Sequence, residues 1–378
     1  MLPFDKLSFW ERNYYTDSID FAVIGSGIVG LTFAIQLKQK YKQAKIIVLE
    51  RGYLPSGAST KNAGFACFGS PSEIIDDLSK MNQKSVWETV ALRIEGLNKL
   101  LELSGKSNIG YQQSHSWELF ENNNSSISND QLSFLNEQLF KITKINDVYS
   151  FDSNAIKKNQ LTNFSCAIKN KLEGSISTDL LMDRLIHLAN KLNIKILNGI
   201  NVKKFNTFQN NVEIITNYGS LNCHKLVICT NGFAKELIQD VNVNPSRAQV
   251  LITKPIGNLK LKGTFHSQKG FYYFRNINQR ILLGGGRCLD FEGESTDEFD
   301  NSEIIKNDLT QYLKKHFLQS EKIEIDYFWS GIMGTGFEKK PIVKQINNNV
   351  YCGVRLGGMG IAIGTEIGNQ LVKLITNE

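Results

Sequence analysis

The sequence predicts an α/β protein that opens on a βαβ unit, and three observations carry that prediction. An apolar run from Phe21 to Ile24 stops at Gly25. Apolar residues at Ile28, Leu31, Ala34 and Ile35 then recur at helical spacing. Finally, "KIIVLE" supplies a β-branched run that ends on Glu50. Buried parallel strands read as short continuous apolar runs and helices as a 3.6-residue repeat; joined within about thirty residues they make a βαβ crossover.

The turn between the first strand and helix is "GSGIVG", with Gly25, Ser26, Gly27, Ile28, Val29 and Gly30 as the candidate nucleotide-binding residues. Gly25 permits a sharp turn, Gly27 lets the backbone approach a pyrophosphate, and Gly30 lets the helix pack close to the sheet. A phosphate there meets the free N–H groups and dipole of a helix N-terminus. Glu50 lies twenty residues beyond Gly30, where a carboxylate accepts hydrogen bonds from ribose hydroxyls and disfavours a 2′-phosphate. Arg51 follows it into the loop. This pattern predicts a dinucleotide site without separating FAD from NAD.

After Glu50 comes a polar, glycine-rich loop, "RGYLPSGASTKNAGFACFGS". Residues from about 72 to 145 are expected to be helical, interrupted by a turn-rich surface stretch at 121–130. Thr178 is expected to cap the helix "DLLMDRLIHLANKL", with His187 on its face. The short strands "IKILNG", "NVKKFN", "VEIITN" and "LVICTNG" follow, then a strand-rich region at about 247–289. A helix near 301–318 and a final helix in "IAIGTEIGNQLVKLI" complete the chain.

Composition narrows the function classes. With 378 residues, 41% hydrophobic and 21% charged, the chain is globular and long enough for two domains. A net charge of +6 spread over scattered lysine pairs argues against a nucleic-acid partner. Six cysteines without a CxxC pair read as reduced thiols, so a cytoplasmic location is expected. The five histidines show no metal-ligand spacing, and no metal is expected. Phe21 to Leu37 is free of charge, but it contains Gly-Ser-Gly and follows Glu11, Asp17 and Asp20. A buried strand and helix explain it better than a transmembrane span or signal peptide.

Four later stretches fall in an ordered series: "SGASTKNAGFACFGS", "LVICTNGFAKEL", "YYFRNINQRILLGGGR" and "VYCGVRLGGMGIAIGTEIGNQL". Together with the first unit they resemble the D-amino-acid-oxidase-like FAD-dependent oxidoreductases, which include glycine, sarcosine and γ-glutamylputrescine oxidases. The lead "LSFWERNYY" is similar to that of the putrescine-derivative oxidases. The resemblance implies an α/β fold with a Rossmann-like FAD-binding domain, discontinuous in sequence, at 1–80, 170–240 and 330–378. A second α+β substrate domain with an antiparallel sheet would occupy 81–169 and 241–329. It also implies that Ala58, Ser59, Asn62, Ala63 and Gly64 line the ribityl chain and flavin, and that Val202 meets the adenine through its backbone. Thr230, Asn231 and Gly232 would pass the pyrophosphate. Gly357, Gly358, Met359 and Gly360 would approach the flavin pyrimidine edge.

The implied reaction is oxidation of the C–N bond of a secondary amine, D-amino acid or polyamine derivative, by hydride transfer to flavin N5 and hydrolysis of the imine. Oxygen or a quinone or other carrier would take the electrons. The alternative is an FAD-dependent tRNA-modification enzyme acting on a methylamino-type base. Alternation in "FYYFR" puts Phe271, Tyr273 and Arg275 on one face. By the resemblance, Arg275 grips a substrate carboxylate and Tyr273 walls the substrate; Lys61 stands in for the lysine with which sarcosine oxidases promote reaction with oxygen. Arg287, after three glycines, is within reach. Three departures qualify the match. Met333 stands where glycine oxidases carry a second arginine, "GTGFEKKPIV" has no cysteine for flavin attachment, and Asn62 replaces a flavinylated histidine. Non-covalent FAD is the expectation.

Overall fold

The computed structural model describes residues 3–121, 127–318 and 322–377. Two large sheets organise it. The first runs Ile342–Asn347, Val350–Val354, Gly219–Ile228, Ile19–Ile24, Ile46–Glu50, Lys195–Asn198. From Val350–Val354 to Lys195–Asn198 the strands are parallel, and Ile342–Asn347 joins antiparallel at the edge. A meander of Val202–Thr207 and Val212–Thr216 branches from the start of Gly219–Ile228.

Because side chains alternate across a sheet, the central strands feed two cores. Val23, Ile46 and Val48 face the helices Ile28–Lys40, Gln83–Ser104, Thr178–Lys191 and Gly360–Thr376. Ala22, Ile24, Ile47 and Leu49 pack instead on Val212, Ile214, Leu221 and Ile238. The uncharged run from Phe21 is thus a buried strand followed by a buried helix. Among the described residues no helix is long and apolar enough to cross a membrane.

The second sheet runs Ile325–Thr335, Asn244–Thr253, Arg280–Gly285, Tyr272–Ile277, Thr264–Ser267, Ser116–Phe120, Cys166–Asn170, Tyr149–Phe151. It is antiparallel except for one parallel pair, Thr264–Ser267 with Ser116–Phe120. Phe265, Phe274, Leu251 and Leu283 point from one face into a core closed by the helix Glu303–His316. Tyr273, Val250 and Leu282 point the other way, onto Ala63, Phe65 and Cys67 of the glycine-rich loop.

Several expectations need correcting. Ser116–Phe120 is an internal strand of the second sheet, not part of a helical stretch from 72 to 145. All five residues are buried, and a short buried strand has no periodicity that separates it from a helix. Its one carboxylate, Glu118, is satisfied by Ser70 and Ser72. Thr178 is the first helical residue rather than the cap, a position held by Ser177. The glycine-rich loop contains a helical turn, Ala58–Lys61, and the strand Phe65–Ala66, which pairs with Gly174–Ser175. Of the turn-rich stretch at 121–130, residues 122–126 lie outside the described residues, and Asn129 already begins a helix.

Candidate active site

A cavity of about 600 Å³ runs between the two sheets. That volume suits a ligand-binding cleft. At one end it is built by the first strand–helix turn. Gly25 has φ +103°, and a Cβ there would come 2.8 Å from the Cys229 carbonyl oxygen. A Cβ on Gly30 would sit 2.0 Å from the Gly25 oxygen, so only glycine allows the helix this close to the turn. Gly27, Ile28 and Val29 line the cavity; Gly30 and Ser26 do not. Ser26 is instead fully buried and holds Glu50, donating from its N–H (3.2 Å) and Oγ (2.6 Å) to Oε2. The Gly52 N–H donates to the other carboxylate oxygen at 2.9 Å. Glu50 is therefore oriented before any ligand arrives. Arg51 lies at the rim, paired with Glu236 at 3.0 Å and 4.3 Å over the Phe233 ring.

The loop 58–64 forms one wall. Ser59 Oγ accepts the Ile28 N–H at 3.0 Å, tying this wall to the helix start. Asn62 Oδ1 accepts the Gly64 N–H (2.9 Å) and Thr178 Oγ1–H (2.8 Å), while its Nδ2 donates to the Ser59 carbonyl (2.8 Å). Ala58, Ser59, Lys61, Asn62 and Ala63 line the cavity. Gly64 lies behind them with φ +72°. Val202, Thr230 and Asn231 also line it, whereas Gly232 packs against Met333, whose carbonyl oxygen would be 2.7 Å from its Cβ. Asn231 Oδ1 accepts the N–H groups of Arg355 and Leu356 at 3.1 and 3.2 Å. These bonds aim the segment Gly357–Gly360 at the cavity, where the last helix begins without a side-chain cap.

The opposite wall comes from the second sheet. Tyr273, Val250, Ala248, Gly331 and Met333 line it. Burial pushes the Tyr273 phenol up to about 12, so it remains a protonated donor. Arg275 corrects an expectation. It does not line the cavity; its Nη1 donates to the carbonyl oxygens of Gly64 (2.6 Å) and Ile176 (2.9 Å). Burial lowers its pKa to about 10, and its Nε has no partner. The side chain straps the loop to the second sheet instead of facing a substrate. Arg287 does line the cavity.

Several lining residues escaped sequence reasoning. His266 stands edge-on to Phe65 at 5.0 Å, and burial drives its pKa down to about 4, leaving the imidazole neutral. Glu73 sits between Arg93 (3.4 Å) and Lys339 (3.2 Å). Burial alone would raise its carboxyl, but the two cations outweigh it and hold the group below the usual range. Arg355, with φ +65°, bonds the carbonyl oxygens of Lys340 and Asn242. These side chains come from segments far apart in the chain and share no spacing motif. The only local signal was "GTGFEKKPIV", whose lysine pair read as surface charge.

Whether the cavity fits a dinucleotide flavin can be tested on two observations. The Thr230 hydroxyl is buried in the wall with no protein partner, a polar group that asks for a ligand atom. Cβ atoms on Gly57, Gly357 and Gly360 would meet nothing within 4 Å, so the chain keeps open space where backbone faces the cavity. With the helix start at Gly27, where Ser59 holds only the Ile28 N–H and the cap residue has no side chain, and the held carboxylate of Glu50, the residues fit FAD.

Fold and cleft together define an α/β protein of the dinucleotide-binding class, and comparison with known proteins makes this specific. Residues 20–374 match the family model described as FAD dependent oxidoreductase, so the chain belongs to the D-amino-acid-oxidase-like FAD-dependent oxidoreductases and its cofactor is FAD. It is similar to a probable oxidoreductase, OrdL, of Haemophilus influenzae, at 21% identity over 97% of this chain and 88% of that protein. Among solved structures it resembles glycine oxidase from Bacillus cereus, with a TM-score of 0.77, 17% identity and 95% of each chain covered. L-proline dehydrogenase from P. horikoshii gives a TM-score of 0.76 at 17% identity, covering 96% of this chain and 94% of that one.

Proposed function

We propose that this protein oxidises the C–N bond of a small amine or amino acid, with the imine product hydrolysing to a carbonyl compound and the released amine. The observation that carries the reading is continuity: one cavity joins the glycine turn and Glu50 to the Tyr273 wall of the second sheet. On this reading the first sheet and its helices, drawn from 1–80, 170–240 and 330–378 together with the helix Gln83–Ser104, hold FAD, and the second sheet holds the substrate. The solved relatives named for glycine and L-proline point the same way.

Bound non-covalently, FAD supplies the acceptor for the hydride that leaves the carbon next to nitrogen. Gly25, Gly27, Thr230 and the start of the helix at Ile28 would take the pyrophosphate, Glu50 the ribose hydroxyls, and Ala58–Ala63 the flavin wall. The uncapped helix start at Gly360 would face developing negative charge. The chain's own tasks are positional. The amine must enter neutral, and no strong base is needed if the cavity favours the uncharged form. Val250, Met333, Phe65 and Ala248 exclude water there, which disfavours an ammonium. Neutral His266 can accept a hydrogen bond from the amine without taking its proton, and the Tyr273 hydroxyl can donate to the substrate. Lys61, on the flavin wall, is the candidate for promoting reaction of the reduced enzyme with oxygen.

The test is anaerobic titration of the yellow holoenzyme with a panel of amino acids, N-methylated glycines and acylated polyamines. Bleaching of the visible flavin band by a member of the panel is the expected outcome. A fully loaded protein that no amine reduces would end the proposal. Acid precipitation should leave the pellet colourless.

A further inference from the structure

One cation in the cavity has no assigned work. Arg51, Arg93 and Arg355 line the same cavity, and each faces a carboxylate: Glu236 at 3.0 Å, Glu73 at 3.4 Å and Glu338 at 3.3 Å. Among the described residues Arg287 has no carboxylate partner. Its Nη2 donates to Ser246 Oγ at 3.0 Å, and its Nε is buried with no partner at all. Glu294, the acid whose charge bears on it, is occupied by Arg247 at 2.9 Å and by Gln249 at 2.8 Å. The Phe291 ring, 5.1 Å from the guanidinium carbon, fixes the plane of the side chain, and Phe271 meets that ring edge-on at 5.8 Å. An oriented, partly buried guanidinium without a counter-ion favours a planar anion.

Strand register says where this anion would lie. Ser246 is opposite Met333 and Ala248 is opposite Gly331, and Ser246 Oγ lies 2.6 Å from Thr335 Oγ1. The guanidinium, bonded to Ser246, therefore stands level with Met333 on the floor. At the other end, Lys61 of the flavin wall crosses over Gly331, where a Cβ would come 2.6 Å from the Lys61 Cβ. Gly331 and Met333 are two residues apart, roughly 7 Å at about 3.3 Å per residue. The floor between them is apolar, with Ala248 and Met333 facing the cavity.

We propose that Arg287 is the specificity-determining residue of this enzyme, and that its substrate is an elongated amine whose carboxylate is separated from the reacting nitrogen by a chain of methylenes. The class is ω-amino carboxylates and their N-substituted forms, in place of α-amino acids, whose carboxyl carbon is only two bonds from nitrogen. This rests on the amine-oxidation reading for the position of the reacting end.

The test is calorimetric titration of the holoenzyme with hexanoate, acetate and hexanamide, none of which carries an amine. Hexanoate should bind about tenfold or more tightly than either of the others. Arg287→Gln should bring hexanoate down to the level of hexanamide. If that variant fails to fold, Arg287→Lys is read in its place, with a several-fold loss of preference expected. Equal binding of hexanoate and hexanamide by the wild type, or a preference undiminished in the variant, overturns the anchor. Acetate binding as tightly as hexanoate overturns the required length. No turnover is needed, so a panel that fails to bleach FAD refutes the reaction while Arg287-dependent hexanoate binding would still stand.

Discussion

Glu50 shows what a single residue does here. Its two oxygens accept from Ser26 and Gly52, so an amide at this place would turn an N–H₂ toward one of those donors. Glu50→Gln should therefore weaken FAD retention by roughly 1–3 kcal/mol, read as FAD fluorescence released on dilution. Glu173 makes a second residue-scale case. It accepts from the N–H groups of Phe68 and Gly69 at 2.8 and 3.2 Å and contacts Ser116, and burial raises its carboxyl to about 7. A folded pKa above the unfolded one means the native state keeps a proton that the unfolded chain has released between pH 4.5 and 7. That contribution is fully present below 4.5 and is lost as pH rises through 7. His266 works in the opposite sense: depressed to about 4, its contribution is present above 6.5 and lost as pH falls through 4. Glu173→Gln, with its amide oxygen toward Phe68 and Gly69, should flatten the fall in Tm between pH 4.5 and 7. An unchanged slope in Tm against pH would show that Glu173 does not set it.

At the scale of elements, the last helix decides how the proposed flavin-side wall is seated. It packs on two others through glycines: a Cβ on Gly368 would come 2.7 Å from Thr32 Oγ1 and 2.8 Å from the Phe33 nitrogen, and one on Gly96 would come 2.3 Å from the Ala362 carbonyl oxygen. Replacing Gly368 with valine should push the helix off Ile28–Lys40, lowering Tm and FAD occupancy together, because the same helix presents Gly360 to the cavity. Thermal melting followed by both tyrosine and flavin signals checks the coupling; a loss of Tm with full FAD retention would argue against it. Elements were legible in proportion to their periodicity. The βαβ unit, the helix from Thr178 and the final helix all carried an unbroken pattern. Ser116–Phe120 did not, because burial on both faces erases the alternation that marks a strand.

Across the whole molecule, function depends on two sheets held at a fixed separation, and Arg275 is one of the ties. From the second sheet it bonds the carbonyls of Gly64 and Ile176, beside the small sheet that follows the proposed flavin wall. Arg275→Ala leaves the Ile176 carbonyl unpaired, while that of Gly64 keeps the Ile176 N–H at 2.9 Å, so a loss of about 1–3 kcal/mol in unfolding free energy is expected, measured by denaturant titration of the holoenzyme. A stability change near zero would remove it as a strap. The resemblance had suggested a different task for this arginine, since alternation correctly put it on the Tyr273 side of its strand but says nothing of what stands opposite. The fold of the proposed nucleotide half was readable from sequence alone because its pattern is local: a glycine turn, a helix start and an acidic strand end lie within thirty residues and need only backbone geometry. The proposed substrate half was decided by tertiary structure. His266, Glu73, Lys339 and Arg287 acquire their charge states and free valences from neighbours brought together only when the two sheets close on one cavity, and no spacing along the chain encodes that approach.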